Sequence, residues 1–233
     1  MCAQFTLAKT LKDLAERLNL TILEEIFFPQ RFVPSSKAPV VTKPPTGWAL
    51  RPMRFGLIPS WSKEPKVKFA TYNARLMSED KKTRRQVPIY EKPTWRSAFQ
   101  TRHCLVPMTT FIEPLYDGEL AGNMVAFGRE DQGILVAAGI WEEWTNTTTG
   151  EVIPSFSILT DDPLPFVKKL GHDRSPVFLK DTSLDDWLNP MNGDPKEFIK
   201  ALRENKEVPP LKATIDRPLA KGWERHASKE LIF

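Results

Sequence analysis

Cysteine is nearly absent from this chain: its 233 residues include two, Cys2 and Cys104. Two cysteines build no disulfide framework and supply too few thiolates for a cysteine zinc site. Histidine is almost as scarce, with only His103, His172 and His226. No His, Asp and Glu cluster has metal-ligand spacing, so the reading includes no metal and no cofactor. No apolar run approaches the ~20 residues of a membrane span, and the N-terminus lacks an apolar leader segment. A cytoplasmic, reducing setting without membrane attachment is the expectation. Glycine is outnumbered by proline, eleven to twenty-one, which argues against a bundle of long helices and for short elements with many turns. Charge of neither sign dominates: 33 Lys and Arg against 29 Asp and Glu leave +4, compatible with a phosphate partner but not diagnostic of one. There is no repeat, low-complexity tract or interdomain linker, so residues 1–233 read as one domain, long enough to bury a substantial core.

The pattern that is present reads as follows. Leu7, Leu11, Leu14 and Leu18, with Lys9, Lys12, Glu16 and Arg17 between them, predict an amphipathic helix after Phe5. Prolines recur too often between Ile26 and Ala49 for a helix, and Pro39-Val40-Val41 reads as a strand. Met53 to Pro59 reads as a strand ended by proline, and Ser78 to Arg85 as a solvated loop or short helix. Strands are predicted over Cys104–Pro107, Thr109–Ile112, Asn123–Phe127, Ile134–Ile140 and Ile153–Leu159. They are separated by the turn signals Tyr116-Asp117-Gly118, Asp131-Gln132-Gly133 and Thr148-Thr149-Gly150, as in antiparallel hairpins. Leu184–Leu188 and Lys196–Arg203 read as surface helices with Trp187 and Phe198 turned inward. The fold class is α+β, a curved, mostly antiparallel sheet or barrel with short peripheral helices.

The residue with the most distinctive chemistry is Cys2. It follows Met1, and loss of Met1 would leave a thiol and a free α-amine on one residue. Such an aminothiol condenses with an aldehyde to a Schiff base, and its thiolate then closes a thiazolidine ring. The reference pKa values, about 7.7–8.0 for an α-amine and about 8.5 for a thiol, keep both groups close to reactive near neutral pH. Taken alone, Cys2 reads equally as part of a frayed terminus. His172, in Gly171-His172-Asp173-Arg174-Ser175-Pro176, is a general acid or base or a histidine capping a turn. Glu113, at the end of an apolar strand, is a proton shuttle or an exposed strand-end carboxylate. Asn73 and Arg75 offer an amide that orients and a guanidinium that binds phosphate, or a turn Asn and a solvated Arg. Phe55 and Trp61 form a base-stacking platform or belong to the core. Cys104 and His103 are read as structural.

In order along the chain, Met1-Cys2, Arg54-Phe55-Gly56-Leu57-Ile58-Pro59-Ser60-Trp61, Asn73-Ala74-Arg75, Trp95-Arg96-Ser97-Ala98-Phe99, Arg102 to Pro107, Phe111-Ile112-Glu113, Ala138 to Glu142, Ser155 to Thr160, His172 to Pro176 and Trp187-Leu188 resemble the SRAP (SOS-response-associated peptidase) family over nearly the whole chain. The resemblance implies a single α+β domain with a barrel-like core that binds single-stranded DNA and reacts covalently with abasic sites. It implies that Cys2, freed of Met1, captures the ring-opened sugar aldehyde as a thiazolidine, with autopeptidase and abasic-site lyase side activities. By the same resemblance Asn73 positions the sugar, Glu113 handles protons at the amine and His172 assists ring opening. Arg75, Arg96 and Arg174 hold the flanking phosphates, and Trp61 stacks on a base. The chain departs from the family at Ala3 and Gln4, where Gly-Arg is usual, and at Phe55, where Trp is usual. Over Pro107–Pro114 the usual Ala-Asp-Gly run and the Trp after Glu are missing. Two other readings use the same residues: an amidohydrolase or peptidase built on Cys2, Glu113 and His172, and a non-covalent module for single-stranded nucleic acid.

Overall fold

The computed structural model describes residues 4–9, 11–22, 28–190 and 193–227. In chain order its elements are β1 (Gln4–Thr6), α1 (Leu11–Leu18), β2 (Thr21–Ile22), β3 (Arg31–Phe32), β4 (Lys37–Thr42), β5 (Ala49–Phe55), β6 (Asn73–Arg75), β7 (Met77–Glu79), β8 (Gln86–Pro88), α2 (Arg96–Thr101), β9 (His103–Met108), β10 (Thr110–Leu115), β11 (Asn123–Arg129), β12 (Leu135–Thr145), β13 (Val152–Asp161), α3 (Pro165–Lys169), β14 (Ser175–Pro176), α4 (Leu184–Trp187), α5 (Pro195–Glu204) and β15 (Leu211–Pro218). A 3₁₀ turn, Ile89–Glu91, lies between β8 and α2.

Strands β13, β12, β9, β4 and β5 pair side by side, and β13 returns to β5 through the parallel pairs Ser155↔Arg54 and Phe156↔Phe55. That last pairing closes a five-stranded barrel, which removes the open edges that invite aggregation. Strand β9 is buried along its whole length, as a strand packed on both faces must be. Gly139 of β12 sits opposite Cys104 of β9, and a Cβ there would lie 2.8 Å from Cys104 Sγ. Glycine is therefore what lets the two strands approach. Burial pushes the Cys104 thiol well above its ordinary pKa, which makes it an inert core residue as expected.

A second sheet, in the order β15-β11-β10-β1-β3, lies against the barrel. Aromatic rings join the two. Phe5 stacks on Phe32 at 4.8 Å and meets Phe55 edge-on at 5.3 Å, and Phe111 stacks on Phe127 and contacts Phe178. The α+β expectation with a mostly antiparallel, barrel-like core holds. Short helices lie at the periphery: α5 starts with Pro195 after Asp194, whose carboxylate caps Lys196 N at 2.9 Å. Trp187 is buried and stacks on His103 at 3.6 Å. No helix among the described residues is long and apolar enough to cross a membrane.

Three local expectations change. The first helix begins at Leu11, not Leu7, because Leu7 leaves β1 in extended chain and donates its N–H to Gln30. Of the two readings of Ser78–Arg85, the structure takes the loop and not the helix, with Ser78 and Glu79 drawn into a strand. The segment forms most of the β7–β8 hairpin, whose turn is held by Asp80 accepting from Lys82 N, Thr83 N and Thr83 Oγ1. The third is Asn73–Arg75, a strand that pairs in parallel with β13 rather than a turn.

Candidate functional site

Glu113 lies in β10, opposite Val125 of β11. On the other side of β10, Gln4 of β1 pairs with Ile112, one residue from Glu113. His172 reaches the same place from the far end of the chain. Helix α3 ends in a Schellman motif: Gly171 N donates to Lys168 O at 3.0 Å and His172 N to Val167 O at 3.2 Å. Gly171 takes the left-handed conformation this cap needs, with φ of +90°. The cap delivers His172 into the interior, where its Nε2 lies 3.5 Å from Glu113 Oε2 with both side chains buried. The imidazole Nδ1 is 2.8 Å from the Arg174 carbonyl oxygen. The Arg174 N–H also lies 3.2 Å from Nδ1, so the Arg174 backbone holds the ring from one side and leaves Nε2 facing Glu113.

Two glycines hold the loops that carry this pair. A Cβ on Gly171 would sit 2.5 Å from the Asp117 carbonyl oxygen, and one on Gly118 would sit 2.9 Å from the Leu170 carbonyl oxygen. The turn after β10 and the cap of α3 thus pack backbone against backbone. Next to His172, Asp173 is partly desolvated, but the charges of Arg174 and His172 outweigh that effect and keep its carboxyl below the ordinary value. Arg174 Nε lies 3.3 Å from Asp173 Oδ2.

Asn73 and Arg75 occupy alternate positions of β6 and so share one of its faces, while Ala74 is buried on the other. Both side-chain amide atoms of Asn73 are buried without a hydrogen-bond partner among the described residues. An unsatisfied buried amide costs about 1–3 kcal/mol and marks a place where a ligand can complete the bonding. Thr160 of β13 pairs with Arg75 on one side and with Pro176 on the other. That arrangement puts β6 and the segment after Arg174 about 10 Å apart, flanking one strand.

The remaining sequence-derived residues divide. Trp61 is 55% exposed, its indole N–H donating to the Pro93 carbonyl at 3.3 Å. Arg96 is exposed at the start of α2, its backbone N–H bonded to the Lys92 carbonyl. Phe55 must be corrected. It is fully buried, stacked on Phe156 at 5.2 Å and packed edge-on against Phe5, so it offers no face to a base. Cys2 lies outside the described residues. Sequence reading also missed two features. Gln4 Oε1 accepts from Arg31 at 3.1 Å and from Arg217 at 3.2 Å, so two guanidinium groups surround the position where an arginine is usual. Lys92 donates from Nζ to the Arg75 carbonyl at 3.2 Å. Neither feature has a local pattern that would announce it, because each depends on strands brought together from distant parts of the chain.

Comparison with known proteins agrees with this architecture. The chain is 27% identical over 216 residues to the abasic site processing protein YoqW of Bacillus subtilis, covering 91% of each chain. It is 25% identical over 189 residues to the abasic site processing protein HMCES of Xenopus tropicalis, covering 72% of this chain and 53% of that one. Crystal structures of proteins from Bordetella bronchiseptica and Bacteroides thetaiotaomicron share the fold at TM-scores of 0.71 and 0.72, each 22% identical over 93% of this chain. The first is covered over 100% of its length and the second over 92%. The model of the family SOS response associated peptidase (SRAP) matches residues 1–215: the chain belongs to the SRAP family.

Proposed function

We propose that this protein processes abasic sites in single-stranded DNA by capturing the ring-opened sugar on Cys2. The observation that carries the reading is the buried Glu113–His172 pair, 3.5 Å apart, beside the strand that follows Cys2. Consecutive Cα atoms are 3.8 Å apart, so the Cα of Cys2 lies no more than about 7.6 Å from that of Gln4. Gln4 in turn is paired one residue from Glu113. The reading requires the Cys2 nucleophiles to reach both proton-handling groups from there.

In the proposed sequence Met1 is removed first. Glu113 accepts a proton from the Cys2 ammonium, and His172 protonates the sugar oxygen as the ring opens to the aldehyde. The free amine adds to C1′, and the carbinolamine loses water to give a Schiff base. Sγ then adds to the imine carbon, its proton passing to nitrogen, and the thiazolidine closes. The balance is one aminothiol and one aldehyde in, one thiazolidine and one water out. From the Schiff base, loss of a C2′ proton would expel the 3′ phosphate, the lyase branch. Asn73 would orient the sugar, Arg75, Arg96 and Arg174 would hold flanking phosphates, and Trp61 would stack on a base.

The test is a denaturing gel of the processed protein with a single-stranded oligonucleotide carrying one abasic site. A heat-stable shifted band is expected. It should be absent with undamaged DNA and with Cys2→Ala, and should form about 10²–10⁴-fold more slowly with Glu113→Gln. The family's peptidase designation supports a second use of the same three residues, on an amide. Turnover of a peptide with no shifted band would favour it over DNA capture.

A further inference from the structure

Lys92 is a half-buried cation in an unusual place. It follows the 3₁₀ turn Ile89–Glu91, and its carbonyl caps the start of α2 by accepting from Trp95 N at 3.0 Å and Arg96 N at 2.9 Å. Its backbone is thereby fixed, and the side chain turns back across the free edge of β6 to reach the Arg75 carbonyl. An ammonium has three donors, and this bond uses one. Desolvation, followed by repulsion from the Arg75 guanidinium, pulls the Lys92 pKa down to about 8.

Among the described residues no carboxylate pairs with either charge. The carboxylate next to Lys92 in sequence, Glu91, is held by Arg85, and Glu79 at the end of β7 is held by Arg84. Arg75, Lys92 and Arg96 make no ion pair among the described residues. The fold holds two cations against each other, one of them partly desolvated, two residues from the Asn73 amide that has no partner among the described residues. Exposed Trp61, bonded to Pro93, borders the group. Partly buried like charges are held together at a cost that a bound anion removes.

We propose that Lys92 and Arg75 together form a cleft for one phosphodiester of the bound single strand, with Lys92 supplying a direct charge contact. This inference rests on the DNA-binding reading above. The alternative is structural: Lys92 only satisfies the free Arg75 carbonyl. Lys92→Met removes both charge and donor, and Lys92→Arg restores both.

The experiment measures binding of an undamaged single-stranded oligonucleotide as a function of salt, a readout independent of Cys2. Each phosphate contact contributes about 0.7 to the slope of log affinity against log salt for single strands. Lys92→Met should flatten that slope by about 0.7 and weaken binding several-fold, and Lys92→Arg should keep the wild-type slope. A folded Lys92→Met protein with the wild-type slope overturns the inference and leaves abasic-site capture standing. Wild-type protein that neither binds nor crosslinks DNA overturns both. If Lys92→Met does not fold, the comparison is wild type against Lys92→Arg at pH 7 and pH 9.5. The charge acting on Lys92 is the Arg75 guanidinium, which stays charged over this range, as does Arg96 at the start of α2, while Glu91 is held by Arg85. Wild type alone should lose slope at the higher pH, and parallel behaviour of the two proteins overturns the inference.

Discussion

Replacing Gly171 by alanine tests how the site is held together. Two costs follow from the geometry. The position has φ of +90°, and a side chain in the left-handed region costs about 1–2 kcal/mol. The new Cβ would also lie 2.5 Å from the Asp117 carbonyl oxygen, a backbone atom that moves only with its loop. Relieving such a contact costs about 1–3 kcal/mol. Gly171→Ala should therefore lose about 2–5 kcal/mol in urea denaturation. The relaxation separates the α3 cap from the turn after β10, and so separates His172 from Glu113. A displacement near 1 Å lowers the rate of a positioned reaction roughly 100-fold, which single-turnover crosslinking would measure. Gly150 provides the control. Its φ is +73°, but a Cβ there meets nothing within 4 Å, so Gly150→Ala should show only the conformational cost and keep the crosslinking rate. If the two variants match in stability and rate, the backbone clamp is not what positions the histidine.

Other consequences are equally direct. Trp61→Ala should weaken binding of single-stranded DNA by about 1–3 kcal/mol with little change in stability, whereas Phe55→Ala should cost about 3–5 kcal/mol of stability. Affinity titrations and melts would separate the two roles, and a stable Phe55→Ala that lost only DNA binding would contradict the packing described above. His103 should make the fold sensitive to acid. Burial pushes its pKa down to about 4, against hydrogen bonds to the Phe99 and Trp187 carbonyls that act to raise it. The folded value lies below the unfolded 6.5, so the stabilisation is complete above pH 6.5 and is lost as pH falls toward 4. Between pH 7 and pH 5 the loss works out to about 2 kcal/mol. Urea curves at the two pH values should show it in wild type and not in His103→Gln. Equal pH sensitivity in both proteins would mean that the ring is protonated in the fold, donating to both carbonyls that lie 2.8 Å from its nitrogens.

Much of this molecule was legible in its sequence for identifiable reasons. The runs around Val106, Val125, Ala138 and Phe156 alternate or stay apolar between turn signals, and each became a strand within a few residues of its expected limits. Helix α3 and its Lys169-Leu170-Gly171 stop went unread, although the structure uses that stop to deliver His172. What could not be read depends on partners remote in sequence. The parallel pairing of β13 with β5 joins residues a hundred positions apart, and no local pattern encodes it. Strand β15 was missed because its burial is slight and its composition mixed. The β7–β8 hairpin was hidden by polar residues whose side chains, led by Asp80, hold the turn. Phe55 reads from the sequence as part of a base-stacking platform or as core, and its packing on Phe5 and Phe156 decides for the core. Lys92 carries no motif, and its interest arises only once β6 lies beneath it.

The central claim concerns the first residue of the processed chain. Digesting the DNA-linked product and sequencing the modified peptide by mass spectrometry tests it most directly. The account predicts a peptide that begins at Cys2 and carries the abasic nucleotide, with a mass equal to the two components less one water. A DNA-linked peptide from any other region, or one that still begins at Met1, would contradict it.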